Sequence, residues 1–186
     1  MDSKERVCIF IDGSNFYHSV KDTFNLHDSQ INFAKFIELL KKDRLLIDTY
    51  YYNAPLDIKF NKEVYWKQQK FFDELRKIPA LHIILAHMRK TKQGGKIFYS
   101  VKGDDIHLAI DMVSFAYENL YDTAILVSGD GDFEPAIKRV QKLGKKVENA
   151  YFSISRSSLL KQVSNTSIVL DDIIGKCLKT DDKKDK

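Results

Sequence analysis

The sequence predicts a three-layer α/β/α fold, in which a mainly parallel sheet lies between two layers of helices. Short apolar runs alternate with stretches of helical periodicity along most of the chain, and this alternation is typical of a parallel sheet covered on both faces. Two of the apolar runs, residues 7–11 and 124–127, lead directly into acidic turns. A hydrophobic content of 44% over 186 residues suits one domain with a sizeable core.

The individual elements follow from local residue patterns. Five runs rich in apolar, β-branched or aromatic residues are predicted strands: residues 7–11, 45–52, 81–86, 124–127 and 146–152. Five stretches are predicted helices: residues 32–42, 62–77, 105–121, 133–143 and 157–163. Gly94 and Gly95 separate two extended runs and predict a hairpin. We predict a single domain over residues 1–178 and a disordered tail over 179–186, since the tail has no apolar residue.

Composition narrows the class of protein. Thirty basic and 26 acidic residues give a formal charge of +4, a weak indication of a polyanionic partner. Cys8 lies in a predicted strand and Cys177 near the end of the chain, which does not form a disulfide framework and favours a cytoplasmic protein. No apolar run is long enough for a signal peptide or a membrane span, so no membrane partner is expected. A homo-oligomer is compatible with the sequence but is not predicted.

Acidic and polar side chains follow two predicted strands at the point where each strand ends. Asp12 follows the first strand, and Asp130 and Asp132 follow the run 124–127. If the two strands are parallel neighbours, these carboxylates meet at one edge of the sheet, where open α/β sheets bind ligands. Clustered Asp oxygens are the ligands that a hard cation such as Mg²⁺ selects. Asn15 and Ser128 are placed to support the site.

Each of these aspartates also has a plainer explanation. An Asp after a strand is often a helix N-cap or the first residue of an Asx-turn. Asp132 is the corresponding N-cap candidate for the helix that begins at Phe133. Taken together, the residues favour a shared site over separate caps.

The predicted helix 105–121 carries further acids. Asp104 and Asp105 open it, where the helix dipole favours carboxylates. At 100° per residue its main apolar stripe is Ile106, Ala109, Ile110, Val113, Ala116, Tyr117 and Leu120, with Leu108, Met112 and Phe115 as a second apolar flank. Asp111 falls on the narrow polar strip between them. Periodicity leaves open whether this strip faces solvent or a cleft.

Several familiar motifs are excluded. Glu134 stands where a dinucleotide fingerprint needs its third Gly, and Pro135 stands where an EF-hand starting at Asp130 needs Gly. The chain has no P-loop lysine motif and no Gly-x-Ser-x-Gly elbow, and its five histidines lack zinc-ligand spacing.

A set of motifs in a fixed order resembles a known family. The motifs are FIDGSN at 10–15, YYNAP at 51–55, KGDD at 102–105, AIDM at 109–112 and LVSGDGDF at 126–133. Over residues 7 to about 152 they resemble the NYN domain, and specifically its LabA-like branch, a relative of PIN nucleases. The resemblance implies a PIN-like, Rossmann-like fold and metal-dependent ribonuclease chemistry that leaves 5′-phosphate and 3′-hydroxyl ends.

The resemblance also implies residue roles. Asp12 corresponds to the acid of the first strand, and Asp130 to the acid after a later strand, flanked by Ser128 and Asp132. For the helix acid, the family's Lys-Gly-x-Asp motif points to Asp105, whereas the interval typical of PIN domains points to Asp111. Asp104 departs from the pattern, which more often has an apolar residue there, and it adds a charge that either joins the site or repels the substrate.

The expected activity is hydrolysis of single-stranded RNA with Mg²⁺ or Mn²⁺ held by Asp12, Asp130 and either Asp105 or Asp111. A positive track for the RNA is predicted around the Gly94–Gly95 turn, formed by Arg89, Lys90, Lys92, Lys96 and Lys102. The plainer explanation is that lysines at a hairpin tip keep the edge soluble.

Two other functions compete with this one. A catalytically silent RNA-binding or regulatory scaffold would keep the same fold and pocket. A phosphohydrolase of the haloacid-dehalogenase type also has an Asp after its first strand, but it needs a second Asp two residues later, where this chain has Ser14.

Overall fold

The fold is described from a computed structural model of the protein. It covers residues 4–56, 58–59, 61–93 and 96–179, and for residues 87–93 and 96–102 it describes the backbone alone. Gly94 and Gly95, and residues 180–186 of the predicted tail, lie outside the described residues. Lys179 is described, and its backbone N–H donates to the Gln30 carbonyl at 2.9 Å.

The centre of the molecule is a six-stranded sheet in which every neighbouring pair is parallel. Its spatial order is β3-β2-β1-β6-β7-β8. The strands are β1 (Arg6–Asp12), β2 (Leu45–Asn53), β3 (Leu81–Leu85), β6 (Thr123–Val127), β7 (Lys146–Tyr151) and β8 (Thr166–Val169). A separate antiparallel pair, β4 (His87–Gln93) and β5 (Lys96–Lys102), forms the predicted hairpin. The predicted fold class is confirmed.

Seven α-helices connect these strands within the described part of the chain. They are α1 (Gly13–Phe24), α2 (Phe33–Lys41), α3 (Lys62–Leu75), α4 (Asp104–Tyr117), α5 (Glu134–Lys142), α6 (Ser158–Val163) and α7 (Asp171–Lys176). None of the helices in the described ranges is long and apolar enough to cross a membrane. Five of them match predicted helices, whereas α1, α7 and the edge strand β8 were not predicted.

The sequence of α1 explains why it escaped prediction. Its twelve residues bury only Gly13, Phe16, Ser19 and Val20, so they present no continuous apolar stripe. The helix is fixed instead by its two ends. Asp12 caps the first turn, and Asn25 ends the helix in the left-handed region at φ 53°.

The alternation of β1 side chains builds two cores, one on each face of the sheet. Val7, Ile9 and Ile11 pack against the layer of α1, α2, α3 and α7. Cys8 and Phe10 pack against the layer of α4, α5 and α6. Burial of each large apolar side chain contributes about 1.5–3 kcal/mol, so β1, buried on both faces, anchors the domain.

The orientation of α4 corrects the sequence analysis. The helix turns Leu108 and Met112 of the predicted second flank, together with Ala116, into the core, while the rest of the predicted main stripe is exposed or only partly buried. Ile106 is 63% exposed, Ile110 56% and Tyr117 79%. The prediction was wrong because α4 is apolar on two flanks, and periodicity does not indicate which flank packs. The buried flank is the one that brings Asp104 inward, at 8% exposure.

The strand order positions the functional edge. From β1 the chain proceeds outward through β2 and β3, and then returns to the other side of β1 to continue through β6, β7 and β8. The direction of winding therefore reverses between β1 and β6. Crevices beyond the carboxyl ends of strands at such a reversal are where α/β sheets bind ligands.

The packing of α4 yields a prediction that separates its two faces. Leu108→Ala is expected to lower the free energy of unfolding by about 2–5 kcal/mol, because it leaves a cavity in the core. Ile110→Gln, two residues further on and on the exposed face, is expected to change it by less than about 0.5 kcal/mol. Urea unfolding with an unchanged m-value measures both. Equal losses for the two variants would contradict the orientation.

Candidate active site

Asp12 lies at the junction of β1 and α1. Its Oδ1 accepts a hydrogen bond of 3.0 Å from the backbone N–H of Asn15, so the carboxylate is the N-cap of α1. The next residue must be glycine, because a Cβ on Gly13 would lie 2.6 Å from the Tyr51 ring and from the Tyr52 carbonyl oxygen. The tight turn that results holds the Asp12 side chain, 5% exposed, at the end of the strand.

Two hydrogen bonds tie this junction to the turn after β6. Ile11 pairs with Val127 across the two strands, so Asp12 and Ser128 are the next residue of each. Ser128 Oγ donates to Asp12 Oδ2 at 2.8 Å and accepts from the backbone N–H of Asp130 at 3.1 Å. Asn15 Oδ1 accepts from the backbone N–H of Gly129 at 3.1 Å. Ser128 and Asn15 thus join the two turns, the supporting position that the sequence suggests for them.

Asp130 and Asp132 lie in the β6 turn. The Asp130 side chain accepts from the Asp132 backbone N–H at 2.9 Å and caps a short 3-10 turn, Gly131–Phe133. The N-cap position of α5 is Phe133, so Asp132 is not the cap of that helix. Its side chain is exposed within the 3-10 turn.

Asp104 and Asp105 occupy the first turn of α4 and bring a third element to the same place. Gly103 precedes them with φ +96°, a conformation that favours glycine. Asp104 is buried and Asp105 is exposed. The charges of both residues act on Asp12, and those of Asp130 and Asp132 act on Asp105. We call Asp12, Asp104, Asp105, Asp130 and Asp132 the acidic cluster.

The acidic cluster raises the affinity of its own members for protons. Burial raises the pKa of Asp12 to about 6, with further contributions from the charges of Asp105 and Asp104, against the two hydrogen bonds that favour the ionised form. Partial burial and the carboxylates of Asp104, Asp130 and Asp132 also raise the pKa of Asp105. Such mutual repulsion favours a bound cation.

Asp111 has a different surrounding. It lies six residues, or about 9 Å of helix, beyond Asp105. Its Oδ2 accepts a hydrogen bond of 3.0 Å from the hydroxyl of Tyr52, a buried residue of β2. Burial and the Asp111 charge hold the pKa of Tyr52 well above its usual range, so the phenol remains a donor. The polar strip of α4 therefore faces β2 at this point.

The donor set suits Mg²⁺ or Mn²⁺ in kind, because it consists of carboxylate oxygens from three elements. Within the described ranges, however, no three His, Cys, Asp or Glu side chains are already arranged to hold a metal ion. The predicted basic residues Arg89, Lys90, Lys92, Lys96 and Lys102 lie in the segments where only the backbone is described.

One neighbour of the site was missed by the sequence analysis. A Cβ on Gly129 would lie 1.8 Å from the carbonyl oxygen of Ser155, so the segment after β7 packs directly on the β6 turn. Ser155 Oγ lies 3.0 Å from Ser19 Oγ of α1, which completes a ring of contacts around Asp12. No local pattern in the sequence signals this contact, because it is made by the backbone carbonyl of Ser155.

The chain matches the NYN domain over residues 6–171. It belongs to the NYN domain family. The NYN domain belongs to the PIN-like nuclease superfamily, and the resemblance seen in the sequence is confirmed at that level. The match extends beyond residue 152 to take in α6 and β8, which cover the far edge of the sheet.

A solved structure from Vibrio parahaemolyticus supports the fold. This NYN domain aligns with a protein of unknown function from Vibrio parahaemolyticus with a TM-score of 0.75, over 94% of this chain and 98% of that chain, at 24% identity. A protein from Parabacteroides merdae, named as an oxidoreductase, aligns with a TM-score of only 0.33 and 13% identity, over 90% of this chain and 31% of that chain. No curated protein matches the chain.

The elevated pKa of Asp12 predicts a pH dependence of stability. The folded state holds the Asp12 proton more tightly than the unfolded state, where the pKa is about 3.9, so its contribution to stability is lost as the pH rises from about 4 to 6. The loss amounts to about 2–3 kcal/mol at pH 7. In Asp12→Asn this part of the pH dependence is absent.

The measurement is urea unfolding of both proteins at pH 4 and pH 7 in EDTA. Subtracting the variant from the wild type cancels the titrating groups that do not interact with Asp12 and any change in hydrogen bonding that does not depend on pH. An identical fall in stability for the two proteins would contradict the shifted pKa.

Proposed function

We propose that this protein is a metal-dependent ribonuclease of the LabA-like branch that hydrolyses single-stranded RNA in the cytoplasm. The observation that carries the proposal is the convergence of β1, the β6 turn and the start of α4, which gathers the acidic cluster where the winding of the sheet reverses. The two cysteines, both free and buried, fit the reducing compartment.

The residues of the site have two roles: some would bind the metal, and others fix the turns that carry the metal-binding residues. Asp12, Asp105 and Asp130 would bind Mg²⁺ or Mn²⁺, with Asp104 and Asp132 adding negative charge beside them. Ser128 and Asn15 fix the two turns through the hydrogen bonds described above. We assign the helix acid to Asp105, because its charge acts within the cluster whereas Asp111 receives the Tyr52 hydroxyl.

The side chains of the acidic cluster differ in rigidity and in proton affinity, and both properties affect how a metal ion would bind. A bound divalent ion supplies neutralisation of phosphate oxygens and activation of water. Asp12 is held rigidly by two hydrogen bonds, while Asp105 and Asp132, being exposed, retain rotamer freedom to adapt to a ligand. The raised pKa of Asp12 means that metal binding displaces a proton at mildly acidic pH.

The substrate track is part of the proposal. The β4–β5 hairpin runs directly into Gly103 and Asp104. The segment that immediately precedes the α4 acids of the acidic cluster therefore carries the predicted basic residues Arg89, Lys90, Lys92, Lys96 and Lys102. A strand of RNA crossing from the hairpin to the cluster would have its phosphates neutralised on the way.

A second candidate function is an RNA-binding scaffold without catalysis. It is favoured by the absence, among the described side chains, of a metal-ready triad and by the use of Asp12 and Asp130 as structural caps. Binding of RNA without metal-dependent cleavage would decide in its favour.

The decisive experiment compares two aspartates on one helix. Cleavage of a labelled single-stranded RNA in Mn²⁺, Mg²⁺ or EDTA is measured for the wild type, Asp105→Asn and Asp111→Asn. We expect Asp105→Asn to lower the rate by more than about 100-fold, since losing a metal ligand costs more than losing a residue that only orients a ligand. Asp111→Asn is the matched control, expected to stay within about tenfold of the wild type.

Each outcome has a distinct meaning. Cleavage in EDTA, or cleavage that survives both Asp105→Asn and Asp111→Asn, would reject the proposed chemistry. Loss in Asp111→Asn with retention in Asp105→Asn would move the helix acid to Asp111. Because Asp105 is exposed and is repelled by neighbouring carboxylates, its substitution should not lower the free energy of unfolding, which separates lost chemistry from lost fold.

A further inference from the structure

The segment that follows β7 packs on the turn Gly129–Gly131 through two successive contacts. The Ser155 carbonyl oxygen occupies the place where Gly129 would carry a Cβ, at 1.8 Å, and Ser157 Oγ lies 3.3 Å from the corresponding point on Gly131. Gly129 and Gly131 flank Asp130, and Ser155 and Ser157 flank Arg156. Arg156 is therefore brought beside Asp130 by contacts on both sides of each residue.

Backbone and hydroxyl contacts fix this segment. Ser153 N–H donates to Asp171 Oδ2 at 3.0 Å, and Ser155 Oγ lies 3.0 Å from Ser19 Oγ. Ser157 Oγ accepts from the Leu160 N–H at 3.3 Å and caps α6. Anchors on α1, α6 and α7 leave the backbone of Arg156 little freedom, so its position relative to the turn is set by the fold.

The Arg156 side chain differs from most other arginines whose side chains are described. Arg6, Arg44 and Arg76 each bind a carboxylate, and Arg44 binds Glu148 with both terminal nitrogens at 3.0 Å. Arg156 is exposed, and within the described part of the chain it has no hydrogen-bond or ion-pair partner. The Arg156 guanidinium, carried by a segment whose backbone lies against the Gly129–Gly131 turn, is thus left with all five donors available.

We infer that Arg156 and the turn 153–157 form a phosphate-binding subsite for the nucleic-acid backbone, next to the acidic cluster. A guanidinium binds a phosphodiester through two parallel N–H···O bonds, a geometry that fixes the phosphate as well as attracting it. The inference rests on the proposed function and adds a second phosphate-binding region on the other side of the acidic cluster. The β4–β5 hairpin approaches the cluster from the α4 side, and Arg156 approaches from the β7 side.

The separation of charges explains how both groups remain usable. The carboxylates and the guanidinium lie on adjacent turns held by separate anchors, and no ion pair joins Arg156 to Asp130 or Asp132 in the described structure. Each is available for its own ligand, the acids for a cation and the arginine for a phosphate one or more nucleotides from the bond to be cleaved.

The test measures binding apart from catalysis. Anisotropy of a fluorescein-labelled single-stranded RNA is recorded in EDTA between 50 and 300 mM NaCl for the wild type, Arg156→Gln and Arg139→Gln. Arg139 is the matched control: it is exposed, has no partner among the described side chains, and lies near Tyr117 and Glu118 at the far end of α4.

We expect Arg156→Gln to weaken binding about 5–10-fold at 50 mM NaCl and to reduce the salt slope by about 0.7, the value for one phosphate contact on a single strand. Arg139→Gln should change neither quantity. In a cleavage assay with Mn²⁺, Arg156→Gln should raise KM about 5–10-fold with kcat within about twofold. Arg156→Lys should retain the salt slope while losing part of the affinity.

The outcomes separate the subsite from the proposed function. A wild type that binds and cleaves RNA, with an Arg156→Gln variant equal to it in affinity and slope, overturns the subsite alone. Equal losses of RNA affinity in Arg156→Gln and Arg139→Gln would mean that only the net charge of the protein matters, and this result also overturns the subsite. A wild type that neither binds nor cleaves overturns both. The same measurements on DNA of the same sequence show whether the subsite reads phosphate alone, in which case the Arg156 effect is equal on both.

Discussion

The hydrogen bond from Ser128 to Asp12 is the contact on which the rest of the site depends. It joins the ends of β1 and β6 at the reversal of the sheet, and the same hydroxyl accepts the Asp130 N–H and so shapes the acidic turn. Asn15 adds a second tie to that turn from α1. A carboxylate buried in this way opposes folding when ionised, and two hydrogen bonds offset part of that cost. The large apolar cores on both faces of β1 supply the stability that makes such a residue tolerable.

Much of this arrangement was predictable from the sequence. Parallel strands were indicated by their alternation with helices, and once β1 and β6 are neighbours the aspartates that end them must meet. The convergence of Asp12 with the Asp130 turn therefore follows from two local patterns and one rule of sheet geometry. The NYN motifs pointed to the same residues independently. The meeting of the two strand ends is confirmed, and it was predictable because the direction of the backbone at a strand end decides where the next side chain lies.

The rest depended on packing, which local patterns do not encode. The twelve residues of α1 lack an apolar stripe and form a helix because Asp12 caps it and the sheet receives Phe16 and Val20. In α4, two apolar flanks compete, and the one that packs is settled by the fit of Leu108 and Met112 against the sheet. The same choice gives the two acids different neighbours, because Asp105 lies within the acidic cluster whereas Asp111 accepts the Tyr52 hydroxyl. The contact of Ser155 with Gly129 joins residues far apart in sequence and leaves no local trace.

The double use of Asp12 bears on how this protein tolerates change over evolutionary time. Because Asp12 ends a strand, caps a helix and faces the ligand edge, drift at that position is opposed by selection for abundance as well as by selection for activity. Asp105 carries no such structural duty, being exposed at the start of α4. Under the proposed function, a lineage that no longer needs the chemistry can therefore lose it at Asp105 while every contact around Asp12 persists. Retention of the acid at position 12 alone is then weak evidence that a relative is an enzyme. The residue at position 105 is more informative.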